Sequence, residues 1–598
     1  MTRYLVLAWP PAAAASALHL KAGLAADARL HLVVNRPAFA VYLDRDTPLP
    51  CVQLPGQAGV VIGSAFDKQA ALGGRGQAAE LGRAHAGSPI EVARNLIAQC
   101  WGAYVAILPD REGGANVFRD PLGALECLTW TRDGVSVAAS QLDPAGPCAP
   151  TGLEIDWTAL AGLLRQKNLS SVTVPLKGVR GVDPGALLCS DGRQLRLWRP
   201  GDFASVKALR PDVRPVQLAA AVDGSVAAWA EGRTRVLCEV SGGLDSAIVL
   251  AALTKARAPV IGAINHYWPQ PEADERVFAR AVAEQAGLVL TERAHGLLSL
   301  DAETLAKVAC SARPSFSAAD PAYDADMAER LAAGGADALF TGQGGDAVFF
   351  QMAGAALAGD LLRGLGISRT SPVAWARLAR RMRSPVSTLV VEALRTWRQP
   401  VPLHPGVSFL SDRAASAGPS GDRHPWLQGL GGVSPAKQLQ IQALTNNQSM
   451  FGDSLRARGG RLLQPLMSQP VVEVCLSIPA PMLAIGPLDR PFARAAYGDR
   501  LPTAVRERRW KGDLSVFFAR SMAENIPFLR DYLMDGLLAA EGLIDRSRLE
   551  PILHRDHLIW FDHSGELTIA VLLEAWTRWW QAQILAARAA AVTTRVEA

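Results

Sequence analysis

The apolar run Val236-Leu237-Cys238-Glu239-Val240 passes directly into SGGLDS (Ser241 to Ser246) and then into AIVLAAL. The last stretch holds strong helix formers and no breaker, so it reads as a helix. The first is short and apolar, as a strand buried on both faces would be. Between them Gly242 and Gly243 permit a sharp turn, because glycine tolerates positive φ and close backbone approach. A turn of this kind aims several backbone N–H groups and a helix N-terminus at one point, which makes an anion site. From residue 216 the same texture repeats: RVLCEV, PVIGAINHYW, LVLTERA and ADALFTG alternate with long alanine- and leucine-rich stretches. Strands alternating with helices predict a parallel sheet with helices packed on it. Its ligand belongs beyond the carboxyl ends of the strands.

SGGLDS lacks the G-K-[ST] ending of a Walker loop, so no lysine waits there for a γ-phosphate. Its serines and backbone amides suit a pyrophosphate, and Asp245 suits a magnesium ion bridging phosphate oxygens. A second such loop follows ADALF: in TGQGGDAVF (Thr341 to Phe349), glycines again follow a strand and Asp346 stands at the turn into a helix. Magnesium uses few protein carboxylates and leaves room for water and phosphates. Two such turns in one domain, each ending in Asp, point to it.

The rest of the 598-residue chain is long enough for two or more domains. Residues 1 to about 200 read as short strands and turns (RLHLVVN, FAVYLD, GVVIGSAF, AYVAILPD, VSVAAS, QLRLWRP), an α+β texture. A linker is expected between Pro200 and Pro215, separating domains at 1–205 and 216–598. The N-terminal MTRYLVLAWPP has the look of a secretory leader, but Pro10 and Pro11 interrupt it, and a first strand from Tyr4 to Trp9 is the expected reading. Eight scattered cysteines without a C-x-x-C pair suggest neither zinc nor a disulfide framework and fit a reducing cytoplasm. A net charge of +5 gives no case for nucleic acid, and no apolar run is long enough to span a bilayer.

Four further segments stand out. Arg377, Arg380, Arg381, Arg383, Arg395 and Arg398 form a basic helical region, expected to be a solvated face, with an acidic or peptidic partner as the alternative. Residues 411–424, SDRAASAGPSGDRH, have loop composition. HRDHLIWFDH (His554, Asp556, His557, Asp562, His563) reads as a surface or interdomain helix, no third metal ligand being fixed by spacing. In DPAYDADMAER, Asp320, Tyr323 and Asp324 read as a capped helix start or as lining of a substrate pocket. Trp576, Trp579 and Trp580 recur at helical spacing and read as packing.

SGGLDS and TGQGGD together resemble the two nucleotide loops of the asparagine synthetase class of ATP-pyrophosphatases. FRDPLGALECLTWTRDGVSVAASQL (118–142) and LKGVRGVDPGALL (176–188) are similar to its glutaminase-type half. RLLQPLMSQPVVEVCLSIPAPM (461–482) and RERRWKGDLSVFF (506–518) are similar to the end of its synthetase half. The resemblance implies an Ntn-glutaminase-like αββα domain followed by an adenine-nucleotide alpha-hydrolase-like synthetase domain. It implies that Ser241, Gly242, Gly243, Leu244, Asp245, Ser246 and Gly342 cradle ATP and that Asp245 and Asp346 hold Mg2+. It also makes Lys511 the lysine that meets pyrophosphate and the developing oxyanion.

Two departures narrow the branch. Glutamine-dependent members expose an N-terminal cysteine after Met1 is removed, whereas here Thr2 and Arg3 follow Met1 and the nearest cysteine is Cys51. The N-terminal half is therefore expected to keep its fold without making ammonia. Gln343 stands where asparagine synthetase carries a glutamate and β-lactam synthetase a tyrosine, and an amide is no base at neutral pH. PLMSQP and Arg508-x-x-Lys511-Gly512 resemble a third branch, the lasso-peptide macrolactam synthetases. That resemblance implies adenylation of an Asp or Glu side chain in a precursor peptide and ring closure by the peptide's N-terminal amine, with Lys511 and Gln343 at the reacting groups. A leader-binding protein and a leader peptidase are the implied partners. An asparagine- or β-lactam-synthetase-like enzyme on a small molecule, and an ATP-binding scaffold, are the competing readings.

Overall fold

The computed structural model describes residues 3–82, 87–110, 114–268, 270, 273–396, 406–416, 423–509, 512 and 514–597. Before residue 200 they form two six-stranded antiparallel sheets. Side chains alternate between the two faces of a strand, and here each face has its own core. Tyr4, Val6 and Val41 pack with Ile62, Trp101 and Val105 between the sheets. Leu5, Leu7 and Tyr42 turn the other way, toward Leu20 and Leu24 of the helix Ala14–Ala25 and toward Trp576 and Trp580. On the second sheet, Val61, Tyr104 and Ala106 meet Val92 and Leu96 of the helix Pro89–Gln99. Helix, sheet, sheet, helix: the layers are those of an Ntn-like domain. Coverage on both faces explains why these strands read as continuous apolar runs.

The strand Tyr4–Ala8 pairs with Phe39–Asp44 on one side and Val135–Ala139 on the other. The leader-like segment is thus an interior strand, whose loss would open the sheet. In FRDPLG, Asp120 is fully buried and accepts the backbone N–H of Leu122 and Ala124 at 3.1 Å, while Arg119 donates to the carbonyls of Gly123, Leu125 and Val182. Burial pushes the Asp120 carboxyl up to about 6, against the neighbouring Arg119 and the backbone donors. This motif holds a turn.

Pro200 and Pro215 bound the connecting segment, and each opens a helix, Pro200–Ala204 and Pro215–Ala230, at the position where proline lacks nothing the helix needs; the residues between these helices form no further helix or strand. The segment is also tied to the second half, since Arg210 N donates to Ser477 O at 2.7 Å. Residues 411–424 depart from loop composition over one short stretch. Asp412–Ser416 is helical, residues 417–422 lie outside the described residues, and His424 is fully buried.

Beyond residue 216 five parallel strands run in the order Leu290–Ala294, Val260–Tyr267, Val236–Glu239, Ala338–Phe340, Arg461–Leu463. Cys238 and Phe340 face the helices Pro215–Ala230 and Leu244–Lys255. Leu237 and Leu339 face Met327 and Leu331 of the helix Pro321–Gly334. Both faces are covered, as a parallel sheet requires. Trp576 and Trp580, on the helix Ser564–Glu597, both donate their indole N–H to Ser311 O, so the tryptophans are packing. His554, the N-cap of the helix Arg555–Trp560, and Asp556 in its first turn are exposed, with His557 stacked on His563. No helix among the described residues is long and apolar enough to cross a membrane.

Candidate active site

Val236–Glu239 is the middle strand, with Val260–Tyr267 on one side and Ala338–Phe340 on the other. At such a switch the strand ends part and open a crevice. Both glycine loops emerge into it, at the floor of a cleft of about 1390 Å³.

The turn is narrower in its demands than two glycines suggest. Gly242 alone takes positive φ, +88°, and a Cβ there would lie 2.6 Å from Glu275 O. Gly243 is extended, with φ −78°, and serves as N-cap of the helix Leu244–Lys255. Ser241 and Ser246 close the loop on itself: their Oγ atoms lie 3.1 Å apart and Ser241 Oγ accepts Gly243 N–H at 3.2 Å. Leu244 is buried beneath. The second loop docks on the first backbone to backbone. A Cβ on Gly342 would sit 2.4 Å from Ser246 N, and one on Gly345 would sit 2.3 Å from Asp245 Cγ. Only glycine lets the loops come this close.

That approach brings the two aspartates to one cation. Arg490 Nη1 lies 2.6 Å from Asp245 Oδ2 and 2.7 Å from Asp346 Oδ1, while its Nε pairs with Asp489 at 2.8 Å. Arg490 is buried and left-handed, with φ +47°, a conformation that costs a non-glycine residue energy unless its surroundings hold it. Burial acts to lower its pKa, yet Asp245, Asp489 and Asp346 outweigh that and raise it. Burial likewise acts to raise Asp489, and Arg490 and Arg494 bring it below the ordinary range. Among the described residues no group of three or more His, Cys, Asp or Glu side chains is arranged for a metal. Two carboxylates converging on a single positive centre nevertheless fit Mg2+, which completes its shell with water and phosphate oxygens.

Lys511 lies outside the described residues, as does Thr2. The chain beside Lys511 is pinned at the first loop: Arg508 donates to Gly242 O at 2.9 Å and pairs with Glu275, whose Oε1 also accepts Gly512 N–H at 2.7 Å. Gln343 lines the cleft and accepts from Gln464 Nε2 at 3.0 Å.

At the strand ends, three acid-containing pairs line the cleft or stand behind its wall. Tyr323 OH donates to Glu239 at 2.7 Å, His295 Nε2 meets Asp320 at 2.8 Å, and His266 Nε2 meets Asp326 at 2.8 Å. Burial acts to lower both histidines; Asp320 reverses this for His295, which is raised, whereas Asp326 does not for His266, which stays lowered. Asp320 also caps Pro321–Gly334, so it both starts that helix and lines the cleft. Asp324 instead is fully buried and accepts the backbone N–H of Leu455.

In the basic region Arg377, Arg380 and Arg383 are exposed, as a solvated face requires, and together with Arg381 they border the cleft. Arg395, on the helix Val386–Thr396, is not among the lining residues, and Arg398 lies outside the described residues. Arg490 and Glu239 were missed by sequence reasoning. Arg490 follows the loops by more than 140 residues and sits in LDRPFAR, where no local pattern marks it.

A parallel sheet with paired glycine loops and convergent aspartates at its switch point defines a phosphate-handling α/β domain. A model of the asparagine synthase family matches residues 217–580, more than half of the chain, and the chain belongs to that family. Membership makes it an ATP-dependent carbon–nitrogen ligase that forms amides. No curated protein matches the chain.

Proposed function

We propose that the protein is an AMP-forming peptide macrolactam synthetase of the lasso-cyclase type. An Asp or Glu side-chain carboxylate of a precursor peptide attacks the α-phosphate of ATP, and pyrophosphate leaves. The peptide's N-terminal amine then attacks the acyl carbon, loses a proton and expels AMP, leaving one amide bond in place of one water. Ser241, Gly242, Gly243, Leu244, Ser246 and Gly342 form the seat of the nucleotide. Asp245 and Asp346 would hold Mg2+, which when bound neutralises phosphate charge. Lys511, placed between Arg508 and Gly512, would stabilise the pyrophosphate and the oxyanion. Cleft walls that exclude water and hold the amine near the carbonyl supply the rest by positioning.

The observation that carries this reading is Gln343. The loop position nearest the chemistry holds an amide bonded to another amide, Gln464, so the amine must arrive able to react without a base there. A peptide α-amine, with an unperturbed pKa near 7.7–8.0, does so. The cleft also exceeds the roughly 300–1,000 Å³ of ordinary small-molecule pockets, which favours a peptide. A leader-binding protein and a leader peptidase would complete the system. Incubation with ATP, Mg2+ and a precursor peptide, followed by mass spectrometry, tests it. Loss of one water from the peptide supports the reading. Amide formation only on a free amino acid or other small acid would replace it with the small-molecule alternative.

A further inference from the structure

We propose that the arginine face of the helix Pro372–Met382 binds an acidic segment of the peptide substrate, holding it by carboxylate–guanidinium bonds while the reacting carboxyl lies at the glycine loops. This rests on the peptide-ligase reading above and adds to it the charge of the substrate. The helix buries Ala374, Trp375 and Leu378 on one side. Its other side presents Arg377 and Arg380, and Arg383 follows as the C-cap; all three are exposed and all three line the cleft. Arg381 points elsewhere and donates to Ala484 O at 2.6 Å and to Gln351 O, fixing the helix against the wall that carries Asp489 and Arg490.

The other bonded arginines of the cleft show what is missing. Arg490, Arg494, Arg508 and Arg456 each pair with a carboxylate of the chain. Among the described residues no carboxylate pairs with Arg377, Arg380 or Arg383. Three like charges spread over seven residues, six helical rises or about 9 Å, repel one another, and an anion lying along them removes that cost. The glycine loops already supply the proposed seat for the phosphates of the nucleotide. An extended peptide spaces same-side residues about 6.6 Å apart, so two acidic side chains of one segment can span this face. Guanidinium forks bind carboxylates with two parallel bonds.

The test uses the full chain and fluorescence anisotropy of a labelled peptide of alternating Glu and Gly, beside its Gln-for-Glu counterpart. The triple variant Arg377→Gln, Arg380→Gln, Arg383→Gln is expected to bind the Glu peptide at least about tenfold more weakly than the parent. Salt should weaken the parent's binding, and the affinities for the Gln peptide and for ATP should stay unchanged. Equal affinity of parent and variant for the Glu peptide overturns the proposal. So does equal binding of the Gln and Glu peptides by the parent, or a loss of ATP affinity in place of peptide affinity, which would assign the face to phosphates. Binding is read without turnover, so failure of the macrolactam reading shows separately, as absence of cyclised product from a peptide that binds through these arginines.

Discussion

Asp245 and Asp346 stand 101 positions apart in the chain and meet at one nitrogen, Arg490 Nη1, at 2.6 and 2.7 Å. The position a divalent cation would serve is held by a guanidinium from a third segment. Arg490 thus bridges the two carboxylates.

Removing that cation should leave buried charge uncompensated. Arg490→Ala is expected to lower stability by on the order of 3 kcal/mol without divalent cation, mainly through Asp245 and Asp489, because the Asp346 side chain is half-exposed. Magnesium should recover part of the loss, as a ligand of the folded state does. Urea unfolding with and without Mg2+ reads this out. A variant midpoint equal to wild type and indifferent to magnesium would remove Arg490 from the role.

The seam between the loops is tested at Gly345. A Cβ there falls 2.3 Å from Asp245 Cγ, so Gly345→Ala must displace that carboxylate. A shift of about 1 Å at a reacting centre can cost on the order of 100-fold. ATP–pyrophosphate exchange should fall by that order while the variant stays folded by circular dichroism. Exchange near the wild-type rate would show that Asp245 need not be held where it is.

Gln343 and Lys511 should separate. With a peptide α-amine as nucleophile, Gln343 orients and does not ionise, so Gln343→Ala slows cyclisation modestly. Lys511→Ala, removing charge stabilisation typically worth several kcal/mol, nearly abolishes cyclised product. Equal damage from both, with ATP still bound, would contradict the substrate-amine argument.

Acid should weaken the fold through His424. Its Nδ1 accepts Trp426 N–H at 3.1 Å and its Nε2 lies 3.1 Å from Ser171 Oγ, so protonation at Nδ1 breaks a cap. Burial, with Arg196 and Arg313 nearby, lowers its pKa to about 3. A folded pKa below the unfolded value of about 6.5 means a contribution present above 6.5 and lost as pH falls toward 3, at up to about 1.4 kcal/mol per pH unit. Asp120 and Asp360, both raised to about 6 by burial, have the opposite sign: their contribution is lost as pH rises through 6. The comparison with His424→Asn isolates the histidine: between pH 7 and 5 the variant's urea midpoint should fall less steeply. Parallel slopes would contradict the assignment.

Local patterns carried much of this architecture into the sequence. Both glycine loops were legible because strand, turn and helix are adjacent in the chain, and the parallel sheet was legible in the alternation that follows residue 216. The fifth strand, Arg461–Leu463, was not, being three residues long and paired only through Ala338–Phe340. Burial hid other features: His424 lies in a stretch of loop composition, and packing against distant segments decides its environment. Arg377, Arg380 and Arg383 belong to one basic helical region in sequence and structure alike, but what that face borders depends on tertiary placement. Of the two adjacent glycines in the first loop, Gly242 alone uses the freedom that both possess.

The most direct test of the central claim is the fate of ATP in a reaction holding the protein, Mg2+ and precursor peptide, with glutamine and ammonium left out. Absence of a Walker lysine in SGGLDS and Gln343 in the second loop together predict AMP and pyrophosphate in equal amounts. They also predict a peptide lighter by one water. ADP and phosphate as the main products, or product that forms only when glutamine is added, would contradict the account.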